Sequence, residues 1–477
     1  MFELEKWLAQ RGYPSLSTDM RNSIKTWLDW YKGHVHDFHD YTIYNGMRYV
    51  DMKRRSLEMA KFVCEDWANL LLNERVKISV DDSFTERLNE LLTQSRWYLK
   101  ANQDVELAFA LGTSAFVEYL DADKTPRIDH YRADMIRPIS WGPEGVMECA
   151  FASSCTVEKK QAVYVMLHLL EDGKYVIENH MFDYTTCAEI ELKGVEPKIN
   201  TQSTTPLFQL IRPNIINSVD LDCPMGMSVY GNSLGVLAAL DEVFDSLDNE
   251  FKLGRKRLLL PLSMAKIQMN GAKDDHGKPI VAPAFDHKDT VFYAYETQDT
   301  AAKPIEFNMD LRIEEHEKGL LTNLALLGKK TGVGADRYTW DKASGVKTAT
   351  EVISDKSDLY QNMRKHELEL EAAIIGMVQS LAFLDTGHYL DEVKVNFDDG
   401  IIQDIQAELD NSIAKLNNGL ISHKSVMVDV FDMTEKEAEE ELALIREEQT
   451  VQMPAVDSSL SGSDNPFPDE DEEDDEA

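Results

Sequence analysis

The chain has 477 residues, of which 43% are apolar and 9% aromatic, so it can build more than one hydrophobic core. Its 85 acidic residues outnumber its 49 basic residues and give a net charge of −36 at pH 7. A surface this acidic excludes a simple DNA-wrapping protein, because such proteins neutralise phosphates with Lys and Arg. It does not exclude a protein that handles DNA while repelling it.

Cysteine usage and hydropathy indicate an intracellular assembly site without a membrane partner. The five cysteines are scattered and form no C-x-x-C pair, which argues against a zinc ribbon and a disulfide framework. The start of the chain is acidic where a signal peptide needs basic residues. The longest apolar stretch, Ala372 to Leu384, has 13 residues and is too short to span a bilayer.

The first 230 residues divide into a helical part and a part with strands. Apolar residues recur at three- and four-residue spacing through the first 120 residues and predict helices. One such stripe consists of Leu57, Ala60, Cys64, Trp67 and Leu71. Short alternating runs predict strands between 125 and 200, with a hairpin of 162–170 and 174–179 around Gly173. The Thr-, Pro-, Asn- and Gly-rich region 200–231 predicts a long irregular connection.

Two helices then flank a strand-rich segment. Apolar residues on one face predict a helix over 233–253, which Gly254 is placed to end. Strand and turn patterns fill 254–310, and a second helix is predicted over 311–327. A loop rich in Gly and basic residues is predicted over 328–347. Helix–helix connections usually have 2–8 residues, so a loop of about twenty favours a functional role.

The strongest periodic signal predicts one helix over 348–384. Thr348 and Glu351 form a capping box at its start. Its apolar stripe contains Leu359, Met363, His366, Leu370, Ile374, Met377 and Leu381. A helix of this length spans about 55 Å, which is too long for one small domain to bury, so we expect a ring oligomer. Shorter helices are predicted over 390–450, and the acidic tail 451–477 is expected to be disordered.

The segment Gly33 to Asp40 contains three histidines and two carboxylates. Side chains of His34, His36, Asp37 and His39 could bind zinc or iron, which would make the chain a metal-dependent hydrolase. The spacing departs from the H-x-H-x-D-H signature, because the acid falls at 37 and Phe38 follows it. A polar turn after a Trp-rich helix is the alternative interpretation.

No recognisable catalytic motif occurs, but two basic clusters interrupt the acidic sequence. The segment Gly328-Lys329-Lys330-Thr331 fails as a P-loop, because Lys330 stands where a Ser or Thr must bind magnesium. One basic cluster consists of Lys252, Arg255, Lys256 and Arg257. The other, in the 328–347 loop, contains Lys329, Lys330, Arg337, Lys342 and Lys347. Each is either an ordinary solvated patch or a functional site, and their positions at the ends of helices beside a strand-rich segment and a glycine loop favour function.

Four stretches resemble the portal proteins of tailed bacteriophages, of the type found in siphophages and prophages of Gram-positive hosts. The most specific is Gly345–Val352, a glycine followed by Lys-Thr-Ala-Thr-Glu at the start of a very long helix. The others are Met59–Leu71, a helix that opens with Gly231-Asn232-Ser233 and closes with Asn249-Glu250, and Asn396–Asp404 followed by Asn418–Ser422. Their shared order extends the resemblance over about residues 1 to 450.

The resemblance implies a mainly helical α+β portal fold and no catalytic activity or cofactor. Residues 1–230 are then the wing, 231–253 and 311–327 the stem helices, and 254–310 the clip. Residues 328–347 are the tunnel loop, 348–389 the long wing helix and 390–450 the crown. The family has no role for the His-rich segment that we can assign.

Portal proteins form rings, usually of twelve subunits, around a double-stranded DNA channel at one capsid vertex. The implied partners are terminase, the head–tail connector or adaptor, and the major capsid and scaffolding proteins. The resemblance places Lys329, Lys330, Arg337 and Lys342 at the narrowest part of the channel and the 252–257 cluster beside the clip. Net negative walls suit a channel through which DNA must slide without being retained. A capsid or scaffolding protein without a channel remains the alternative from another structural class.

Overall fold

The computed structural model describes most of the chain up to residue 397 and parts of the remainder. The described residues are 4–72, 76–121, 123–192, 194–262, 264, 266–273, 275–277, 279–283, 292–297, 303–340, 349–397, 412–416, 418–431, 438–439 and 441–445. The chain divides into two compact units, Met1–Asp398 and Asp399–Ala477. The predicted capping-box residue Thr348, residues 341–347 of the predicted tunnel loop and the acidic tail lie outside the described residues.

Helices dominate the start of the first unit and return after residue 230. They are α1 (Leu4–Gln10), α2 (Thr18–Tyr31), α3 (His36–His39), α4 (Met59–Leu71), α5 (Asp82–Gln94), α6 (Trp97–Leu111), α7 (Leu234–Leu253), α8 (Ile313–Thr331) and α9 (Ala349–Thr386). In the second unit, α10 spans His423–Phe431. Within the described residues, no helix combines the length and apolarity needed to cross a bilayer.

The strands are short except for three in the middle of the first unit. They are β1 (Asp40–Tyr44), β2 (Tyr49–Lys53), β3 (Lys77–Ser79), β4 (Ser114–Leu120), β5 (Pro126–Arg132), β6 (Ile136–Gly142), β7 (Gly145–Val157), β8 (Lys160–Glu171), β9 (Lys174–Asp183), β10 (Lys198–Asn200) and β11 (Phe208–Ile211). Then follow β12 (Arg257–Pro261), β13 (Lys266–Lys273), β14 (Pro279–Pro283), β15 (Phe292–Tyr295), β16 (Ile305–Phe307) and β17 (Lys394–Asn396).

Two sheets form the β portion between the helical parts. The larger has the order β10-β9-β8-β7-β6 and is antiparallel throughout, and the smaller has the order β11-β4-β5. The predicted hairpin around Gly173 is confirmed, because β8 and β9 pair from Glu171 with Lys174 onward. One side of the larger sheet is covered by Leu4 and Leu8 of α1, which pack against Val163, Val165 and Leu167.

The segment between α7 and α8 is a separate β module. Strand β12 pairs in parallel with β15 and antiparallel with β16, while β13 and β14 form a hairpin of their own. Both flanking helices are confirmed, although α8 extends four residues beyond the predicted end at 327. The arrangement is therefore a pair of contacting helices with a β module at their shared end.

The long helix is confirmed as α9, which spans 38 residues or about 57 Å. All seven residues of the predicted apolar stripe, from Leu359 to Leu381, are buried in the main core. The helix lies across β4, β5 and β11 and also contacts α4 and α5. The same core buries the predicted stripe of α4, including Trp67, which has no solvent exposure.

Three regions differ from the sequence-based prediction. The first 120 residues, predicted to be helical, also contain strands β1 to β4. In 40–53 the apolar pattern extends over too few residues to distinguish a hairpin from a helix. The 200–231 connection is less irregular than predicted, since β11 adds to the sheet of β4. Strand β17, which was not predicted, pairs with β3 inside the first unit.

Gly226 brings the 200–231 connection into direct backbone contact with the end of α6. A Cβ atom at Gly226 would lie 2.2 Å from the carbonyl oxygen of Gly112, so it could be accommodated only if one of the two backbone segments moved. We predict that Gly226→Ala lowers the free energy of unfolding by about 2 kcal/mol.

The control substitution is Gly235→Ala in α7, where a Cβ atom meets nothing within 4 Å. That variant should gain about 0.5 to 1 kcal/mol, because alanine favours helix. Urea denaturation measures both, and equal effects would contradict the assigned packing.

Burial of His168 predicts a pH-dependent stability. Burial lowers the pKa of this side chain, which contacts Phe151 and Phe208, to about 3. Between pH 6.5 and 3 the unfolded chain binds a proton that the folded chain does not, so stability falls as pH falls. The slope is about 1.4 kcal/mol per pH unit for this residue near pH 5.

We therefore expect His168→Leu to reduce the pH dependence of the unfolding free energy between pH 6 and 4 by that amount. Urea denaturation followed by tryptophan fluorescence provides the measurement. Leu167→Ala is the control, because it removes buried apolar volume and should lower stability about equally at each pH. An unchanged slope in His168→Leu would rule out a buried neutral histidine.

Candidate functional site

The two predicted stem helices are joined by polar contacts near the β module. Arg312 binds the carboxylate of Glu250 through two guanidinium nitrogens, at 3.1 Å and 2.8 Å, and through its backbone N–H at 3.1 Å. These bonds lower the pKa of Glu250 to about 2. One turn further along, the Ser246 hydroxyl donates to Nε2 of His316 at 2.9 Å. The C-terminal end of α7 and the N-terminal end of α8 are therefore held together beside the β module.

Asp241, in the N-terminal half of α7, joins this helix to the segment 39–57. Its buried carboxylate accepts hydrogen bonds from His39 Nε2 at 3.0 Å, Ser56 Oγ at 3.0 Å and the Leu57 N–H at 2.7 Å. One turn later, Asp245 accepts from the Arg55 N–H at 3.2 Å. Each buried oxygen of Asp241 thus has a donor, which is the condition under which a buried carboxylate is stable.

The same contact changes the interpretation of the His-rich segment. His39 is 1% exposed and accepts a hydrogen bond from the Val35 N–H at Nδ1 while Nε2 binds Asp241. Both ring nitrogens are occupied, so no lone pair remains for a metal ion. His34 pairs with Asp40, and His36 lies beside Asp37. Among the described residues no group of three such side chains could hold a metal ion. The segment therefore anchors α7, and the metal-site interpretation loses one of its ligands.

The predicted tunnel loop begins later than the sequence indicates. Gly328, Lys329 and Lys330 lie in the last turns of α8, which ends at the left-handed Gly332 (φ +87°). Gly328 does not stop the helix. It allows the chain after Gly332 to pass close by, since a Cβ at 328 would lie 2.2 Å from the Gly334 oxygen. Lys330 donates to the Asn232 carbonyl at 2.5 Å, whereas Lys329 is exposed.

The described part of the loop, 333–340, is folded back onto the helices. Arg337 binds both oxygens of Asp66 on α4, with N–O distances of 3.0 Å and 2.5 Å, and the hydroxyl of Tyr338 reaches the same carboxylate at 3.3 Å. Burial raises the pKa of Tyr338. Trp340 donates to Glu317 of α8 at 3.3 Å. Arg337 thus has a carboxylate partner and is not a free cation, and Lys342 lies outside the described residues.

Trp67 connects the end of α8 to α4 and α9. Its indole N–H donates to the Thr331 carbonyl at 3.0 Å, and its ring centre lies 4.8 Å from that of His366 in α9. Asn362 of α9 donates to the Gly332 carbonyl at 3.0 Å. His366 accepts from the Asn214 N–H at 2.9 Å, and burial lowers its pKa to about 4. These contacts fix the position from which the loop leaves α8.

The predicted basic cluster beside the clip is partly neutralised. Lys252 pairs with Asp248 of α7, and Lys256 pairs with Glu306 of β16. The guanidinium of Arg257 lies 5.7 Å from the ring centre of Tyr293, while Arg255 is exposed. The sequence counts four positive charges here, but the fold gives two of them carboxylate partners. The cluster is therefore less electropositive than its composition indicates.

The residues that organise this region were not among the predicted site residues. Asp66, Asp241, Arg312 and Asn362 form its main contacts, and each binds a partner far away in the chain. No role was predicted for the acidic residues on α7. Their spacing on one side of a predicted stem helix was the one signal that could have indicated a buried role for Asp241 and Asp245.

Comparison with known proteins identifies the family. Residues 17–454 match the family model described as phage portal protein, SPP1 Gp6-like. No curated protein matches the sequence. Among solved structures, the chain is similar to one in the virion of a native gene transfer agent particle, at 11% identity and a TM-score of 0.42, over 78% of this chain and 88% of that one. It is also similar to a chain in the neck of a native gene transfer agent particle computed with C12 symmetry, at 12% identity and a TM-score of 0.40, with the same coverage.

The family match covers nearly all of the first unit and the second unit up to residue 454, and it agrees with the resemblance of the four sequence stretches. It includes α7, α8, the β module between them and the long helix α9. Neither a metal-dependent hydrolase nor a scaffolding protein without a channel accounts for a match of this extent. The chain belongs to the SPP1 Gp6-like family of phage portal proteins, and it has the function of a phage portal protein.

Proposed function

We propose that twelve copies of this chain form a ring at one capsid vertex, around a channel through which double-stranded DNA is packaged and ejected. The family match over residues 17–454 carries this proposal. The number twelve and the partners terminase, head–tail connector, capsid and scaffolding proteins are what the resemblance to portal proteins implies. Assembly takes place in the host cytoplasm, and the ring becomes part of the virion.

The arrangement of α7, α8 and the β module supports the assignment of stem and clip. Two contacting helices that carry a β module at one end can present that module to a partner while the helices line a channel. The Arg312–Glu250 pair holds the helices together at the module end. The Asp241 contacts and the Trp67 contacts hold them at the other end. A channel wall needs such fixed helices, because the passing DNA exerts force on them.

The charge distribution supports a sliding contact with DNA. The chain carries −36, and two of the four predicted DNA-contacting cations are paired, Lys330 with a carbonyl group and Arg337 with a carboxylate. Each unpaired Lys or Arg at a phosphate adds affinity that does not depend on sequence. Lys329, which is exposed at the end of α8, is the described cation best placed for a transient contact. A single such residue in each subunit guides the duplex without trapping it.

The mass and shape of the purified particles test whether the chain forms a ring. The purified chain, alone or coexpressed with its scaffolding and capsid proteins, should give particles of about 650 kDa, twelve times the subunit mass of 54.3 kDa. Light scattering measures the mass, and negative-stain images should show a central hole. A monomeric mass under both conditions, or particles without a hole, would contradict the proposal.

The contact with DNA is tested at Lys329. We expect Lys329→Ser to leave ring formation intact and to reduce the amount of DNA packaged or retained, because one cation is lost from each subunit of the channel. Lys100→Ser on α6 is the matched control, since it removes an equally exposed lysine from the wing. Arg337 is unsuitable as a first test, because its loss would leave Asp66 without its ion-pair partner. If both variants package equal amounts of DNA, Lys329 does not contact DNA in the channel.

A further inference from the structure

The hairpin β1–β2 exposes a cluster of large apolar side chains. Four of its large apolar side chains are accessible: Ile43 (46%), Tyr44 (57%), Met47 (90%) and Tyr49 (75%). The two strands pair only with each other among the described strands. An isolated two-stranded hairpin is marginally stable in water, and soluble proteins rarely leave such a cluster uncovered. The hairpin therefore has the properties of an arm that is covered by something outside its own subunit.

The tip of this arm has a defined shape. The Asn45 side-chain oxygen accepts from the N–H groups of Met47 and Arg48, both at 3.0 Å, and the Tyr44 hydroxyl donates to the Gly46 carbonyl at 3.1 Å. Gly46 has a φ of +91°, which a side chain would disfavour. A turn fixed in this way loses little conformational entropy when it binds.

Apolar groups lie on both faces of the arm. Tyr44 and Tyr49 are cross-strand partners with ring centres 5.3 Å apart, and the adjacent pair, Ile43 and Val50, is on the opposite face. Met47 projects from the turn between them. A hairpin that only rested on its own subunit would bury one face. Exposure on both faces is the pattern expected of an arm that inserts into a recess of another protein.

The base of the arm is held firmly to its own subunit. The guanidinium of Arg54 lies 4.1 Å from the ring centre of Phe38 and 4.9 Å from that of Tyr41, and it donates to the Phe38 carbonyl at 2.6 Å. His39, directly before β1, binds Asp241 of the stem helix α7. The arm is thus rigid at its root as well as at its tip.

Charge identifies what covers the arm. Residues 40–53 contain two acidic and two basic side chains and are neutral, so the rest of the chain carries the whole net charge of −36. Two copies of such a chain repel each other over most of their surfaces, and they can approach where charge is absent and apolar area is large. Two cations of the arm, Arg48 and Lys53, can then meet the acidic surface of another copy.

We propose that the β1–β2 arm of each subunit inserts into the neighbouring copy of this chain and forms part of the contact between subunits. The inference rests on the proposed ring function, which supplies the second copy. It goes further by naming the segment that makes the contact. The contact is heterologous, arm to recess, and contacts of this kind form a ring when the rotation between successive copies closes.

Site-specific photocrosslinking tests the contact directly. Met47 is replaced by p-benzoylphenylalanine in the full-length chain, and purified rings are irradiated. We expect a covalent product of twice the subunit mass, with the cross-linked peptide of the second chain lying outside 40–53. The control places the same group at Leu221, which is 78% exposed in the 200–231 connection. Absence of the dimer from position 47 in intact rings, or equal yields from both positions, would overturn the proposal.

A second variant measures how much the arm contributes. Ile43, Tyr44, Met47 and Tyr49 are changed together to Ser, and Ile216 and Leu221 are changed to Ser in a control with comparably exposed residues. We expect the arm variant to require at least about tenfold higher protein concentration for ring formation, with the control unchanged. Circular dichroism should show that both variants keep the wild-type fold.

The results separate this inference from the proposed function. Rings of the arm variant at wild-type concentrations, without cross-linking from position 47, would refute the arm contact and leave the portal function intact. Failure of the wild-type chain to form rings even with its scaffolding and capsid proteins would refute the ring function itself. An arm variant that loses ring formation, together with a dimer cross-linked at position 47, would support the proposal.

Discussion

The hydrogen bond from the Trp67 indole to the Thr331 carbonyl is the contact on which the arrangement of the first unit depends. It is buried, and it joins α4 to the last turn of α8, while the same ring packs against His366 of α9. Removing the donor would leave a buried carbonyl without a partner and a cavity of indole size, and both cost several kcal/mol. Helices α4, α8 and α9 therefore share one fixed point, and the segment 333–340 leaves α8 from there.

The strong acidity of the chain has a structural counterpart in how its acids are used. Asp66, Asp241 and Glu250 each accept two or more hydrogen bonds from groups on other elements. These carboxylates hold α4, α7 and the start of α8 to other elements of the first unit. Two arginines, Arg312 and Arg337, are paired with these acids and add little free positive charge to the surface. Under the proposed function, the same pairing would lower the affinity of the chain for DNA phosphates.

Much of the fold follows from local sequence patterns, because periodicity directly reflects burial. The stripe from Leu359 to Leu381 predicted α9 almost to the residue, and Gly173 predicted the β8–β9 hairpin. Local patterns failed where a glycine had a tertiary role. Gly328 resembles a helix terminator, but the close approach of Gly334 explains why a side chain is absent there. Short strands such as β1, β2 and β11 carry too few residues for a period to be distinguished.

The candidate site could be predicted only in part, since its contacts join distant positions. Arg337 was identified by its charge, but its partner Asp66 is 271 residues away, and nothing near either residue indicates the other. The histidines were conspicuous as a cluster, yet His39 is explained by Asp241, 202 residues further on. Charge and residue type reveal that a side chain is unusual. Only the tertiary structure distinguishes a residue that holds helices together from one that meets a ligand.

Helices α7 and α8 are attached to different parts of the first unit, and this has a mechanical consequence. Helix α7 is bound through Asp241 to His39 and Ser56, which flank the β1–β2 hairpin. Helix α8 is bound through Thr331 and Gly332 to α4 and α9. Buried hydrogen bonds of this kind each contribute about 1 kcal/mol, and breaking one leaves an unpaired polar group that costs more. Displacement of α7 therefore moves the β1–β2 hairpin, whereas displacement of α8 moves α4, α9 and the start of the segment 333–340. In the proposed ring, force on α7 would act at the proposed arm contact, and force on α8 would act on the body of the same subunit.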